Sequence, residues 1–331
     1  MVSAVDNDPV ACRTYRLNHR RVRLIEDDIR NIRPEAPLDD SGRSEQLDLL
    51  VICAPCQPFS SQNRKKTNDD RATLLLEALK FAEEISPWCV FVENVPGIAS
   101  STILRDFRQR LTGAGYFISR PRTINAADFG VPQRRVRCVM VACKSEAGVR
   151  LFEDYSPKLE RSTVRMAIGK LRQLRAGESD PNDALHAARQ HQALALERLM
   201  HIQHDGGGRK DLPDRLRLKC HKDDKSFSDV YGRMRWDDLA PTLTTGCDDV
   251  TKGRFAHPEQ DRAITLREAA LLQTFSPTYR FSGNRSDIAR QIGNAVPVAM
   301  VEGLVPVLKR IIREGRKNRH TRKPIKTAAR G

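Results

Sequence analysis

Apolar residues gather in short runs through the first 143 positions, and amphipathic segments separate them. LDLLVIC (47–53), WCVFVE (88–93), residues 116–124 and VRCVMVA (136–142) have the length and apolar content of buried strands. Between them, RATLLLEALKFAEEIS (71–86) and residues 101–112 repeat apolar positions at helical spacing. Strands alternating with helices predict a parallel, doubly wound α/β sheet. Residues 144–238 break this rhythm. They hold few apolar runs, dense charge, one helical stretch at 183–203 and the cluster Gly206-Gly207-Gly208, as expected of a smaller, irregular domain. Regularity returns at 239. Thr265-Leu-Arg-Glu268 has the spacing of a capping box opening a helix over 266–275, and further helices are expected near 285–292 and over 298–313.

Charge changes this picture at one end. The chain of 331 residues carries a formal net charge of +15, and Lys309–Arg330 holds ten Lys/Arg against Glu314 alone. That stretch reads as a basic tail, either a solubilising end or a nonspecific contact for a polyanion. No apolar run is long enough for a membrane span, and the opening MVSAVDNDPVACRTYR lacks a signal-peptide core. The eight cysteines have irregular spacing, which favours reduced thiols over a disulfide framework.

Four short islands carry the candidate chemistry: Pro55-Cys56-Gln57, Glu93-Asn94-Val95, Gln133-Arg134-Arg135-Val136-Arg137 and Gly293-Asn294-Ala295-Val296-Pro297. The first follows a predicted strand, so Cys56 sits where open α/β sheets collect ligands, on a loop stiffened by Pro55 and Pro58. A thiol held there is a candidate nucleophile. Taken singly, each island has a plain alternative: an inert buried thiol, a solvated strand end, surface arginines, an ordinary turn. Cys53-x-x-Cys56 also reads as a redox or zinc pair, although no second knuckle accompanies it.

In this order and spacing the islands resemble the C5-cytosine DNA methyltransferase family, over residues 4–143 and 240–308. The resemblance implies a Rossmann-like methyltransferase sheet as residues 1–143. It implies a target-recognition domain over 144–238, a return to the catalytic domain over 239–308, and the basic tail at 309–331. It further implies transfer of a methyl group from S-adenosylmethionine, without a metal, to C5 of a flipped-out cytosine in a specific double-stranded DNA sequence. By the same resemblance Cys56 is the nucleophile, Glu93 the acid at N3, and Arg135 and Arg137 candidates for the O2 side, with Arg137 the better fit. Asp6, Asp28, Ile29, Leu74, Asn294 and Val296 match donor-binding positions. Gln57 and Ser60 lie on the loop expected to close over the base, and Arg209, Lys210, Arg233 and Arg235 are the candidate DNA contacts.

The family normally opens with a strand and a glycine-rich turn, Asp-x-Phe-x-Gly-x-Gly-Gly, and this chain starts almost directly on the second strand. Weak or no donor binding by residues 1–331 is therefore expected. The setting implied is a monomer in the bacterial cytoplasm, on the nucleoid when bound to DNA, in a restriction-modification system. An RNA cytosine methyltransferase and an inactive DNA-binding homologue are the competing readings.

Overall fold

The structure is a computed structural model, and it describes residues 2–38, 47–55, 73–157, 159–217 and 229–321. In chain order the first elements are β1 (Ser3–Asp6), α1 (Pro9–Asn18), β2 (Arg23–Glu26), β3 (Leu49–Ile52), α2 (Leu74–Ile85), β4 (Cys89–Asn94) and α3 (Thr102–Gly113). Then follow β5 (Phe117–Ile118), β6 (Arg122–Asn125), β7 (Val136–Cys143), α4 (Glu146–Glu153), α5 (Val164–Ile168), β8 (Ser179–Asp180), β9 (Asp183–Ala187) and α6 (Ala193–His201). The chain ends in α7 (Leu266–Leu272), α8 (Arg285–Asn294) and α9 (Val298–Thr321). Among the described residues no helix is long and apolar enough to cross a membrane.

The alternation of side chains along a strand builds a layer on each face of the main sheet. Val90 and Val92 of β4, with Cys138, Met140 and Ala142 of β7, pack under α2 and α3. Cys89, Phe91, Val139, Val141 and Cys143 point to the other face and meet α4 and α9. Both faces are covered, which explains why β4 is buried at all six positions and reads as a continuous apolar run.

The sheet is mixed rather than wholly parallel. β1 pairs with β2 in parallel, and β3 with β4 in parallel, but β7 runs antiparallel to β4, β5 and β6. The cause is the connection: β6 reaches β7 through a short turn at 126–135, too short for the crossover that a parallel pair needs. Among the described residues no backbone ladder joins β1–β2 to the sheet whose edge is β3. The expected strand over 116–124 is two strands, because Pro121 has no N–H to donate and interrupts the ladder. The expected helix over 183–203 is also two elements, the strand β9 and the helix α6. His186, at the inward position of β9, is 1% exposed and bonds the Thr265 hydroxyl and the Arg172 carbonyl. The capping box at Thr265 and Glu268 opens α7 as expected, and the last helix continues to Thr321.

Two further cores hold the second half of the molecule. One joins α5, Met234, Trp236 and Leu243 to α7 and α8. The other joins Leu199 and Ile202 to Tyr231, Val250 and Ala256. Both cross the sequence position expected to separate recognition domain from catalytic return, so the two stretches share their interiors.

A buried charged cluster stiffens this region. Arg262 and Glu268, 0% and 1% exposed, form a two-pronged pair at 2.7 and 2.8 Å. Burial alone would raise the Glu268 pKa, but the Arg262 bonds outweigh it and hold the carboxyl at about 2. Burial drives the neighbouring His257 down to about 4. Its Nδ1 accepts the backbone N–H groups of Glu259 and Gln260 at 3.2 and 3.1 Å, which the protonated ring could not do.

Both folded-state pKa values lie below their unfolded values, so the unfolded chain binds more protons. Stability should therefore fall as pH drops below about 6.5 for His257, and again below about 4.5 for Glu268. The histidine alone should contribute a loss on the order of 3 kcal/mol by pH 4. Urea unfolding at stepped pH checks this: His257→Gln should flatten the slope between pH 6.5 and 4. An equally steep slope in the variant would contradict the assignment.

Candidate active site

The site lies at the carboxyl ends of β3 and β4, neighbouring parallel strands. β3 leads through Cys53 and Ala54 to Pro55, the last described residue before Cys56. Cys56, Gln57 and Ser60 fall outside the described residues. The root of their loop is nevertheless fastened. Asn94, 2% exposed at the end of β4, donates from Nδ2 to the Ala54 carbonyl at 3.0 Å. Its Oδ1 accepts the Val95 backbone N–H at 2.9 Å. Sequence reasoning placed Asn94 in an island but gave it no task; only the pairing of β3 with β4 reveals one.

Glu93 precedes Asn94 and is 7% exposed. Its Oε1 lies 3.1 Å from Arg137 Nε, an ion pair between adjacent strands of the sheet. Yet among the described residues that oxygen has no well-aligned hydrogen bond and stays a buried acceptor with capacity to spare. Burial raises the Glu93 pKa, and the charges of Arg137 and Arg135 oppose it without cancelling it. The carboxyl thus holds its proton to higher pH than an exposed glutamate does. A group of this kind can give a proton to a ring nitrogen and take it back.

Arg135, a candidate for the O2 side, is placed elsewhere by the structure. It precedes β7, so strand alternation does not govern it. Its side chain is 2% exposed and donates to the carbonyls of Leu243, Gly293 and Ala295 at 3.0, 2.8 and 3.0 Å. It is a tie between the 240–246 segment and the end of α8, and only its charge reaches Glu93.

Gln133 and Gln273 complete this tie. Gln133 Nε2 bonds Gln273 Oε1 at 3.0 Å, Leu243 N–H donates to Gln133 Oε1, and Gln273 Nε2 reaches the Ile292 carbonyl at 2.6 Å. Both glutamines are fully buried, and sequence reasoning assigned them nothing. Gly293 is required at the same junction, since a Cβ there would lie 2.4 Å from the backbone of Thr244.

Arg135→Ala would leave three buried carbonyls to find other donors. It should destabilise the fold by about 3 kcal/mol, with Arg135→Lys restoring only part because a single compact ammonium cannot span the carbonyls that the guanidinium reaches from two nitrogens. An unchanged urea midpoint in the alanine variant would contradict the tie.

Of the donor-binding candidates, Asp6 ends β1, where register sets it opposite Glu26, and Asp28 follows the end of β2. Asp6 is exposed, and its Oδ1 accepts the Asp8 N–H at 2.8 Å. Asp28 caps the turn at Ile29–Asn31 and takes two bonds from the Arg30 guanidinium, at 2.9 and 2.6 Å. These bonds hold its carboxyl down at about 2. Ile29 packs on the α2 core, and Leu74 begins α2. Asn294 ends α8 with its side chain exposed, and Val296 is half-buried against the α9 face. The set offers carboxylate acceptors for hydroxyl and amino groups beside apolar surface, a donor set that fits S-adenosylmethionine.

The DNA-contact candidates divide. Arg233 is 0% exposed and donates to the carbonyls of Ile202, His257, Gln260 and Leu199, with Asp261 as its acidic partner. It therefore braces the interior and does not present itself to DNA, a correction to the sequence reading. Lys210 and Arg235 are exposed and Arg209 is half-buried.

Comparison with known proteins identifies the fold and the family. A prophage-encoded chain of Escherichia coli, described as a DNA modification methyltransferase, superposes with a TM-score of 0.73 at 22% identity, over 95% of this chain and 93% of that one. The Dnmt2 methyltransferase of S. pombe gives 0.62 at 17% identity, over 95% and 91%. At these identities the likeness establishes the fold, a methyltransferase sheet. The sequence carries the rest. The model of the C-5 cytosine-specific DNA methylase family matches residues 1–310. The Type II methylase M.HgiDII of Herpetosiphon aurantiacus is 38% identical over 94% of this chain and 89% of its own length. The Type II methyltransferase M.PspPI of Psychrobacter is 31% identical over 93% and 73%. The chain belongs to the C-5 cytosine-specific DNA methylase family and is an enzyme of the DNA (cytosine-5-)-methyltransferase class.

Proposed function

We propose that this enzyme methylates C5 of a cytosine flipped out of a specific duplex DNA sequence, through a covalent bond between Cys56 and C6. The observation that carries the reading is the buried Glu93–Arg137 pair, at 3.1 Å, on the strand beside the one that runs into Cys56. Cytosine C5 is a weak nucleophile. Addition of the Cys56 thiolate at C6 breaks the C5–C6 double bond and pushes an electron pair toward N3. Glu93 meets that charge by giving N3 its proton, and Arg137 steadies the carboxylate left behind. C5 then has the electron density to form a bond to carbon.

Bound S-adenosylmethionine supplies an electrophilic methyl group on a sulfonium sulfur. Asp6 and Asp28 would hold its hydroxyl and amino groups, with Ile29 and Leu74 against the ring and Asn294 and Val296 closing the pocket. Afterwards the C5 proton leaves to a base, the pair returns to C5–C6, sulfur departs from C6, and Glu93 recovers its proton from N3. The thiol cannot reach C6 inside a base stack, so the target must be extruded, at a cost of a few kcal/mol. Gln57 and Ser60 are the loop residues suited to bond the extruded nucleotide, and Arg209 and Lys210 suit the phosphate backbone.

The setting we propose is host-DNA modification, supported by Type II names among the relatives, by an enzyme that acts as a monomer in a bacterial cytoplasm. The test is transfer of radiolabelled methyl from S-adenosylmethionine to unmodified plasmid DNA or to transfer RNA. Label in 5-methylcytosine of one short DNA motif is expected. Label in RNA alone, or in no nucleic acid, would overturn the proposal.

A further inference from the structure

The geometry points to Arg235 as the residue that reads a guanine in the target sequence, an inference that rests on the DNA-methylating function proposed above. Most arginines of the surrounding region are spent internally. Arg198 bonds Tyr231 and the Leu216 carbonyl, Arg215 pairs with Glu197, Arg217 with Asp214, and Arg233 is buried. Arg254 donates to the carbonyls of Gly206, Gly207 and Arg233. Arg235 is exposed and makes no hydrogen bond or ion pair among the described residues.

It is nevertheless held in place. Its segment is anchored on both sides: Arg233 N–H to the Gly207 carbonyl at 2.9 Å, Met234 N–H to the Ala256 carbonyl at 3.0 Å, and Trp236 N–H to Asp205 Oδ1 at 2.6 Å. The arginine stem then lies across Gly206. That glycine has φ +114°, and a Cβ on it would sit 2.3 Å from Arg235 Nε and 2.6 Å from Cγ. The bare glycine is the seat of the side chain. The glycine cluster of the sequence thus gains a purpose: it lets an arginine cross the loop while Arg254 fixes the loop from beneath.

An exposed, unneutralised guanidinium on a fixed stem loses little freedom on binding, and its planar fork matches O6 and N7 of guanine. Phosphate is a poorer match, because the exposed Asp205, which accepts the Trp236 N–H next to Arg235, repels a backbone anion. A base edge carries no such charge. The neighbouring Arg165 does not compete, since Asp237 already takes both prongs of its guanidinium at 2.8 and 2.9 Å.

The test is the methylation profile of the full chain on a randomised plasmid library, read by 5-methylcytosine sequencing. Wild type should give a motif. Arg235→Ala and Arg235→Lys should each relax one guanine position, by roughly 10- to 100-fold in discrimination, and leave the other positions sharp. Gly206→Ala, which displaces the stem, should relax the same position, with melting curves confirming that each variant is folded. Uniformly slower methylation with the motif unchanged would overturn the guanine assignment, as would a reduced salt dependence with no change in preference, the mark of a phosphate contact. A wild-type profile without any motif would instead overturn the function on which the inference rests.

Discussion

Cys56→Ser should abolish methyl transfer, lowering the rate on the order of a thousandfold or more, while DNA affinity stays within a few-fold of wild type. The argument is chemical. A thiol is partly ionised at neutral pH and is intrinsically a strong nucleophile, whereas a serine hydroxyl has neither property. The strand that leads toward Cys56 is pinned at Ala54, through Asn94, to the strand that carries Glu93. Serine would preserve that geometry and remove only the reactivity. Single-turnover transfer of labelled methyl, with filter binding in parallel, measures both quantities. A variant within tenfold of wild type would rule out the nucleophile.

Glu93→Gln should slow transfer by about 10²- to 10⁴-fold with little change in DNA affinity. Glutamine keeps the shape and can still donate a hydrogen bond, but it cannot transfer its proton. Burial holds the carboxyl pKa above the usual range against the pull of Arg137 and Arg135. The protonated form is present below that folded-state pKa and is lost as pH rises through it. The wild-type rate should therefore decline on the alkaline side of that pKa, and the residual rate of the glutamine variant should lack that limb. Turnover equal to wild type, or an identical pH profile, would count against the acid role.

The parts of this molecule that were legible in its sequence are those fixed by local pattern. Val90 and Val92 against Cys89 and Phe91 alternate as a strand covered on both faces must, and the structure builds a helical layer on each side. Glu93 and Arg137 were legible as candidates from their islands, but their pairing across neighbouring strands shows only in the structure. Arg135 stood beside Arg137 as a second candidate for the O2 side, yet it lies one residue before β7 and its guanidinium turns to Leu243, Gly293 and Ala295. Contacts between residues more than a hundred positions apart leave no local trace, and Gln133 with Gln273 belongs to that class. Arg233 was misread for a related reason. Its neighbours Tyr231, Met234 and Trp236 are all buried, and that apolar company, not its charge, was the better guide. The direction of β7 depends on how short its connection to β6 is in three dimensions, which periodicity does not encode.

The most direct measurement is covalent capture on duplex DNA bearing 5-fluorocytosine at the target, with S-adenosylmethionine present. Fluorine at C5 cannot leave as a proton does, so the sulfur–carbon bond, once formed, should persist. The account predicts a denaturation-resistant protein–DNA adduct with wild type, its peptide cross-linked through Cys56, and none with Cys56→Ser. An equal adduct from the serine variant, or wild-type methylation of ordinary cytosine with no adduct on the fluorinated base, would contradict it.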